Sequence, residues 1–317
     1  PRVAMAGRYT TGAALRRRIR ALDPEHDDEL MTRLISDVLW GDPYFAHSTF
    51  LVTFARQAAV PAIAKVLARS GQGDVVVDPV RRNNDTIVFF TEFFRRGYKS
   101  PDGQAAVARM EAIHSNFIID EELKVYTLAT VIFEPERLAT QFGCEPFSDV
   151  EKLARWNFWK GFAAAMPIDL PTQDRDEFIE WMNDYEQRNY ANTPDAEMIF
   201  DGLARDWQRW YPKWMGENVA RDSLIALLDD PTREAMGQPE PSRIMKLRVN
   251  ATAKAYMKSK SLHVIRNDRS VVRYFGRDHA NPQNLDDVGY KPKRRGASDR
   301  DESASDARDR ETDRSTV

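Results

Sequence analysis

Cysteine is nearly missing from this 317-residue chain: Cys144 stands alone, which excludes an intrachain disulfide and any zinc site built on several thiolates. Histidine is scarce, with five residues, so any metal-ligating role falls on very few side chains. No run approaches the roughly eighteen consecutive apolar residues of a membrane-spanning helix, and the opening PRVAMAGRYTTG lacks the apolar core of a secretory signal. Neither sign of charge dominates. With 46 basic and 49 acidic residues the formal charge is −3, so the global balance calls for neither nucleic acid nor an anionic membrane. HExxH, GxGxxG, the P-loop pattern, GxSxG and an EF-hand loop are all absent, which disfavours hydrolase and nucleotide-binding readings. There is no CxxCH for covalent haem attachment, and QFGCEPF around Cys144 lacks the glycine-rich loop of a thiolate-ligated oxygenase. These absences lead us to expect a soluble, cytoplasmic protein.

What is present is helical almost throughout. Helix starts are expected near Thr11, Glu25, Asp42, Asn83, Asp102, Asp120, Ser148, Thr172, Asp195, Asn218 and Glu240, several of them at residues suited to capping. Gly71, Gly97, Gly143 and Gly216 supply stop signals, and prolines such as Pro101, Pro171 and Pro194 follow the breaks. Only Val75–Val77 and Val271–Phe275 read as strands, too little for a sheet. An apolar fraction of 42% supports a substantial core. The expectation is an all-α protein with a single globular helical domain over residues 1–290. Residues 291–317 contain no large apolar side chain before Val317, so a disordered, charged tail is expected there. The basic stretch GAALRRRIRAL is either a solvated helix face or a weak peripheral membrane contact, with Leu15, Ile19 and Leu22 dipping into lipid.

The most informative run is Arg109 to Glu134. Ala106, Met110, Ile113, His114 and Phe117 follow steps of four, three, one and three, the spacing of one buried helical stripe. Burial disfavours the imidazolium, so His114 is expected neutral and able to ligate a metal unless Glu111 holds a proton on it. The alternative is a buried histidine that satisfies a hydrogen bond. His47 is a second candidate with packing as its other role, His26 sits in the acidic PEHDDE, and His263 and His279 lie in arginine-rich segments.

The Arg109-x4-His114 pair, the Tyr-Thr-Leu-Ala-Thr segment after it and the closing Phe-Glu-Pro resemble the MpaB and rubber-oxygenase catalytic-domain family, in its MpaB-like branch. Phe54–Gly71, Arg81–Thr86 and Leu227–Ser242 extend the likeness over most of the chain up to Tyr290. The resemblance implies a globin-like helical core holding haem b without a covalent link, and cleavage of isoprenoid double bonds with dioxygen. The rubber-oxygenase branch takes its axial histidine from a helix downstream of its conserved arginine. Here no histidine stands between His114 and His263, and the axial role is carried to His114.

Other residues receive roles within that expectation. Ala105, Ala106, Ala108 and Ala112 are small enough to let helices admit a macrocycle. Arg109 stands about 140° round the helix from His114, so it is expected to reach a propionate or a neighbouring acid, or to lie at the surface. Arg81 and Arg82 are further propionate partners. Asp85 is expected to cap a helix starting at Thr86. Thr127 and Thr130 offer hydroxyls for bound oxygen, or bond back to the helix. Glu92, flanked by phenylalanines, and Glu134 are candidates for removing an allylic proton, or are salt-bridge partners of Arg95, Arg96 and Arg137. The stripe Ile199, Leu203, Trp207, Trp210, Trp214 and the group Trp156, Phe158, Trp159, Phe162 are either core or the lining of a channel for a prenyl tail. The expected function is a haem-b oxygenase for a hydrophobic isoprenoid or lipid-like substrate and dioxygen. The competing reading is a non-catalytic helical lipid- or partner-binding protein.

Overall fold

In the computed structural model, which describes residues 8–268, 270–277, 279 and 285–289, helices account for nearly all regular structure. In chain order they are α1 (Gly12–Ile19), α2 (Asp28–Arg33), α3 (Pro43–Ala58), α4 (Pro61–Ala68), α5 (Asp74–Val77), α6 (Pro79–Arg96), α7 (Pro101–His114) and α8 (Glu121–Gln141). Then come α9 (Asp149–Ala165), α10 (Arg175–Asn189), α11 (Pro194–Trp207), α12 (Glu217–Ile225), α13 (Asp230–Ala235), α14 (Arg243–Ser259) and α15 (Val272–Phe275). A π-helical stretch, Leu34–Leu39, continues α2. Two short antiparallel strands, β1 (Tyr9–Thr11) and β2 (Val264–Arg266), tie the start of the described chain to its later part. The expected all-helical domain is therefore present. The tail expected over 291–317 lies outside the described residues.

Capping explains many of the boundaries. Thr11, Asp42 and Ser100 each accept a backbone N–H from the first turn, and Ser148 with Glu151 forms a reciprocal capping box. Three expectations are corrected. Val75–Val77 and Val271–Phe275 are helical turns, because each forms its bonds locally and finds no strand beside it. The helix expected from Asn83 starts at Pro79, where Asp78 caps it by accepting from the Arg81 N–H. Asp85 is therefore an interior residue of α6 and no cap.

The core is aromatic and continuous. Phe89, Phe93, Phe133, Phe158, Trp159 and Phe178 are buried together, and α3, α6, α8 and α9 run through or beside this mass. Full burial of each such ring contributes roughly 1.5–3 kcal/mol. Ile199, Leu203 and Trp207 belong to a second cluster between α11 and α3. α1 turns Leu15 and Ile19 into a third cluster, so these residues are not available to lipid. Among the described residues no single helix is long and apolar enough to cross a membrane. α3 and α4 together pass on length and composition, but the chain bends by 110° between them.

A buried ion cluster pins the middle of α3. Arg56 donates from Nε to Glu134 at 2.7 Å, from Nη1 to Glu186 and from Nη2 to Asp229 at 2.6 Å. Burial alone opposes the charge on Arg56, but Glu134, Tyr190, Glu186 and Asp229 outweigh it and hold the guanidinium protonated. Tyr126 of α8 donates to the Arg56 carbonyl, so α3 and α8 are joined by main chain as well as side chain.

Candidate functional site

The helices α3, α4, α6, α7 and α8 enclose a cavity of about 690 Å³, within the roughly 300–1,000 Å³ of ordinary small-molecule sites. Phenylalanines make much of its wall: Phe50 and Phe54 from α3, Phe89, Phe90, Phe93 and Phe94 from α6. Polar groups also belong to the lining, among them Arg81, Arg82 and Asp85 of α6, His114 of α7 and Lys124 and Thr127 of α8, and the charges of Arg82 and Lys124 are felt at His114. Such a wall holds an apolar molecule by area and orients it through few charged contacts.

Four residues of the expected stripe, Met110, Ile113, His114 and Phe117, line this cavity, and Ala106 packs into the core behind them. The ring of His114 makes no hydrogen bond to any described residue. Burial, reinforced by the nearby charges of Lys124 and Arg82, pushes its pKa below the ordinary histidine value. The neutral imidazole therefore dominates at neutral pH. Glu111, the expected alternative holder of a proton, is not among its partners.

Arg82 is the second notable group. Its guanidinium lies over the Phe54 ring, 4.0 Å from the centroid, and its Nη1 is buried with no hydrogen-bond partner. Loss of hydration brings its pKa down to about 10, although Asp74 and Asp85 pull the other way. Thr49 Oγ1, Trp40 Nε1 and Arg155 Nε are also buried without partners, and all three side chains belong to the wall. Unpaired buried polar atoms are costly, and these four belong to the wall of one cavity while others, such as those of Thr32, Glu151 and Thr232, lie away from it.

The structure places the remaining candidates elsewhere. Arg109 turns away from the cavity and donates from Nε to the Leu285 carbonyl at 3.3 Å and from Nη2 to the Val288 carbonyl at 3.4 Å. Glu92 is buried but engaged, accepting from Arg95 and Arg96 at 2.8 Å each, and lies outside the wall. Glu134 is occupied by Arg56. Thr130 bonds back to the Thr127 carbonyl and accepts from Gln57, so its hydroxyl is satisfied inside the helix packing. Thr127, one turn earlier, does reach the cavity. Of the four alanines expected to make room for a macrocycle, Ala105, Ala108 and Ala112 face solvent, because α7 packs through one narrow face. The tryptophan stripe ends early: α11 stops at Trp207 ahead of Pro212, and Trp214 is exposed. Of the aromatic residues proposed for a channel, Phe162 alone lines the cavity.

His47, the other candidate imidazole, is fully buried, with Nε2 donating to Asp206 at 2.9 Å and Nδ1 accepting from Trp210 at 2.7 Å. Both nitrogens are thus used in packing. His279 donates to Asp85 at 2.6 Å, and the Gly289 N–H donates to the other Asp85 oxygen at 3.0 Å. Gly289 has φ +84°, and a Cβ there would stand 2.9 Å from Ile113 and 3.0 Å from Phe89. Only glycine fits that close passage over the cavity wall. Sequence reasoning missed this clasp because its partners are far apart along the chain.

Asp37 sits behind Glu92, with Arg95 at 3.8 Å. Burial pushes it up to about 6, against opposing pulls from Ser270 and Arg95. Its folded pKa exceeds the unfolded value of about 4, so its contribution to stability is complete below about pH 4 and is lost as pH rises through about 6. Asp37→Asn is expected to stabilise the protein by about 3 kcal/mol near pH 8 and to change little near pH 4. Urea midpoints at the two pH values check this.

A family model described as "ER-bound oxygenase mpaB/B'/Rubber oxygenase, catalytic domain" matches residues 39–257. Nearly all of the cavity wall lies inside that span. The ER-bound oxygenase mpaB of Penicillium roqueforti (strain FM164) is 28% identical over 159 residues, which cover 45% of this chain and 52% of that protein. The chain therefore spans about half the length of the curated relative it matches. With a match over most of its length and a helical cavity at the centre of the matched region, the chain belongs to the mpaB and rubber-oxygenase catalytic-domain family.

Proposed function

We propose that the protein is an oxygenase that holds haem b in this cavity and cleaves a carbon–carbon double bond of an isoprenoid or lipid-like substrate with dioxygen. One observation carries the reading: a neutral imidazole without a hydrogen-bond partner and a buried guanidinium with a free Nη1 share one phenylalanine-lined cavity. The donor set suits the group. His114 would offer an imidazole nitrogen to the iron, and Arg82, with Arg81, would offer the cations that a propionate requires.

When bound, haem b supplies the redox-active iron for dioxygen chemistry. The protein's own part is binding, orientation and the exclusion of water. Phe50, Phe54, Phe89, Phe90, Phe93 and Phe94 give an alkenyl chain apolar contact worth about 25 cal/mol per Å² removed from water. Thr127 and the unpaired Thr49 hydroxyl are among the polar hydrogens that the wall can offer to a polarised oxygen. In the overall conversion the double bond is exchanged for two carbonyl groups, one oxygen atom going to each. No net proton is consumed, so the engagement of Glu92 and Glu134 with arginines does not obstruct it.

Freshly purified protein is expected to show a Soret band with stoichiometric iron. A colourless preparation that also fails to take up added haemin would sink the proposal and favour a non-catalytic lipid binder. Arg82→Gln is expected to weaken haemin binding roughly tenfold, the loss of one charge-assisted hydrogen bond. Thr130→Val should leave it unchanged, and equilibrium haemin titration separates the two. Incubation with isoprenoid alcohols and quinones under labelled oxygen, followed by product mass, identifies the bond cleaved.

A further inference from the structure

We propose that the outer face of α14 docks the protein on a bilayer carrying anionic lipid. α14, RIMKLRVNATAKAYMKS, contains five cations and no acid, in a chain whose total charge is close to balanced. It buries no residue completely. At about 100° per residue, Ile244, Leu247, Ala251 and Ala255 fall within an arc of roughly 80°. Ile244 is 64% exposed and Leu247 70%. Arg243 and Lys254 border the strip on one side and Arg248 on the other, with Lys258 at its end, and these four make no ion pair among the described residues.

The opposite face is what attaches the helix to the protein. Met245, Val249, Ala253, Tyr256 and Met257 are half-buried, and Tyr256 stacks on Phe45 at 6.1 Å and meets Trp40 at 6.4 Å. Phe45 and Trp40 are themselves wall residues of the cavity. The attaching face of α14, opposite the strip, thus abuts two residues of the cavity wall. Beyond the helix, Leu262 and Val264 continue the exposed apolar surface at 81% and 71%.

Two large aliphatic side chains held out between cations match a bilayer interface, where the apolar groups enter the acyl boundary and the cations meet anionic headgroups. Nothing similar survives on α1, whose Leu15 and Ile19 are buried and whose Arg16 lies over Trp40. Docking is independent of the oxygenase reading, because it is measured without catalysis.

The test uses the 317-residue protein and extruded vesicles, either of phosphatidylcholine alone or with phosphatidylserine as about one quarter of the lipid. Co-sedimentation is expected with the mixed vesicles, little with phosphatidylcholine, and release as salt is raised. Lys254→Gln with Lys258→Gln should weaken partitioning roughly thirtyfold. Leu247→Ser should weaken it too, with the thermal melt unchanged because the side chain is exposed. Equal sedimentation with both vesicles, sedimentation with neither, or undiminished binding of the double variant overturns the proposal. A mass by light scattering that halves in Leu247→Ser would assign the face to a second copy of the chain instead and likewise overturn it.

Discussion

His114→Ala is expected to purify with little haem, its Soret absorbance reduced to a small fraction of wild type while the far-ultraviolet dichroism keeps its helical form. The asymmetry follows from where the residue stands. His114 is the last residue of α7, half-exposed to the cavity, and its ring bonds to no described group. Removing it costs the fold little, whereas, on the proposed reading, it would take away the imidazole nitrogen offered to the iron. Added imidazole should restore part of the absorbance if the ring is the ligand, because the truncated side chain leaves space beside the wall. Full haem occupancy in the variant would reject the assignment of His114, and His47, already spent on Asp206 and Trp210, would not replace it.

Arg56→Met is expected to lose about 3–5 kcal/mol of folding stability, the range for breaking a buried charge network from one side. Glu134 would be left without its 2.7 Å partner, and Arg137 is already engaged with Glu186. The measurement is the urea midpoint at unchanged slope. Pairing the substitution with Glu134→Leu should recover part of the loss, since the stranded charge is removed with its partner. A midpoint equal to wild type in the single variant would show that the cluster contributes nothing net. An intermediate outcome, haem loss without a shift in midpoint, would locate the effect on the cavity, which Phe54 and Gln57 of the same helix line.

The legible parts of the sequence were those written in local chemistry. Capping at Thr11, Asp42 and Ser148 located helix starts to within a residue, α8 begins beside Asp120 without a side-chain cap, and the spacing from Met110 to Phe117 placed His114 on the cavity side of its helix. Asp85 misled because NNDT reads as a cap when the true cap, Asp78, lies a turn and more upstream and is followed by a proline. Val75–Val77 misled because three β-branched residues signal a strand only where a partner strand exists. Arg82 and Arg109 are expected as partners for a propionate, but their surroundings were beyond reach for another reason. Both are arginines on amphipathic helices, and what distinguishes them, a free Nη1 beside Phe54 in one and carbonyls 176 and 179 residues away in the other, is set by tertiary packing alone.

The late segment at residues 285–289 is gripped from two helices at once: Asp85 on α6 takes the Gly289 N–H, and Arg109 on α7 takes the carbonyls of Leu285 and Val288. These are the helices that carry Arg82 and His114. The segment therefore links the two helices through adjacent residues, Val288 held from α7 and Gly289 held from α6. Part of what ties the helix of the guanidinium to the helix of the imidazole is thus written some 170 residues after the imidazole itself.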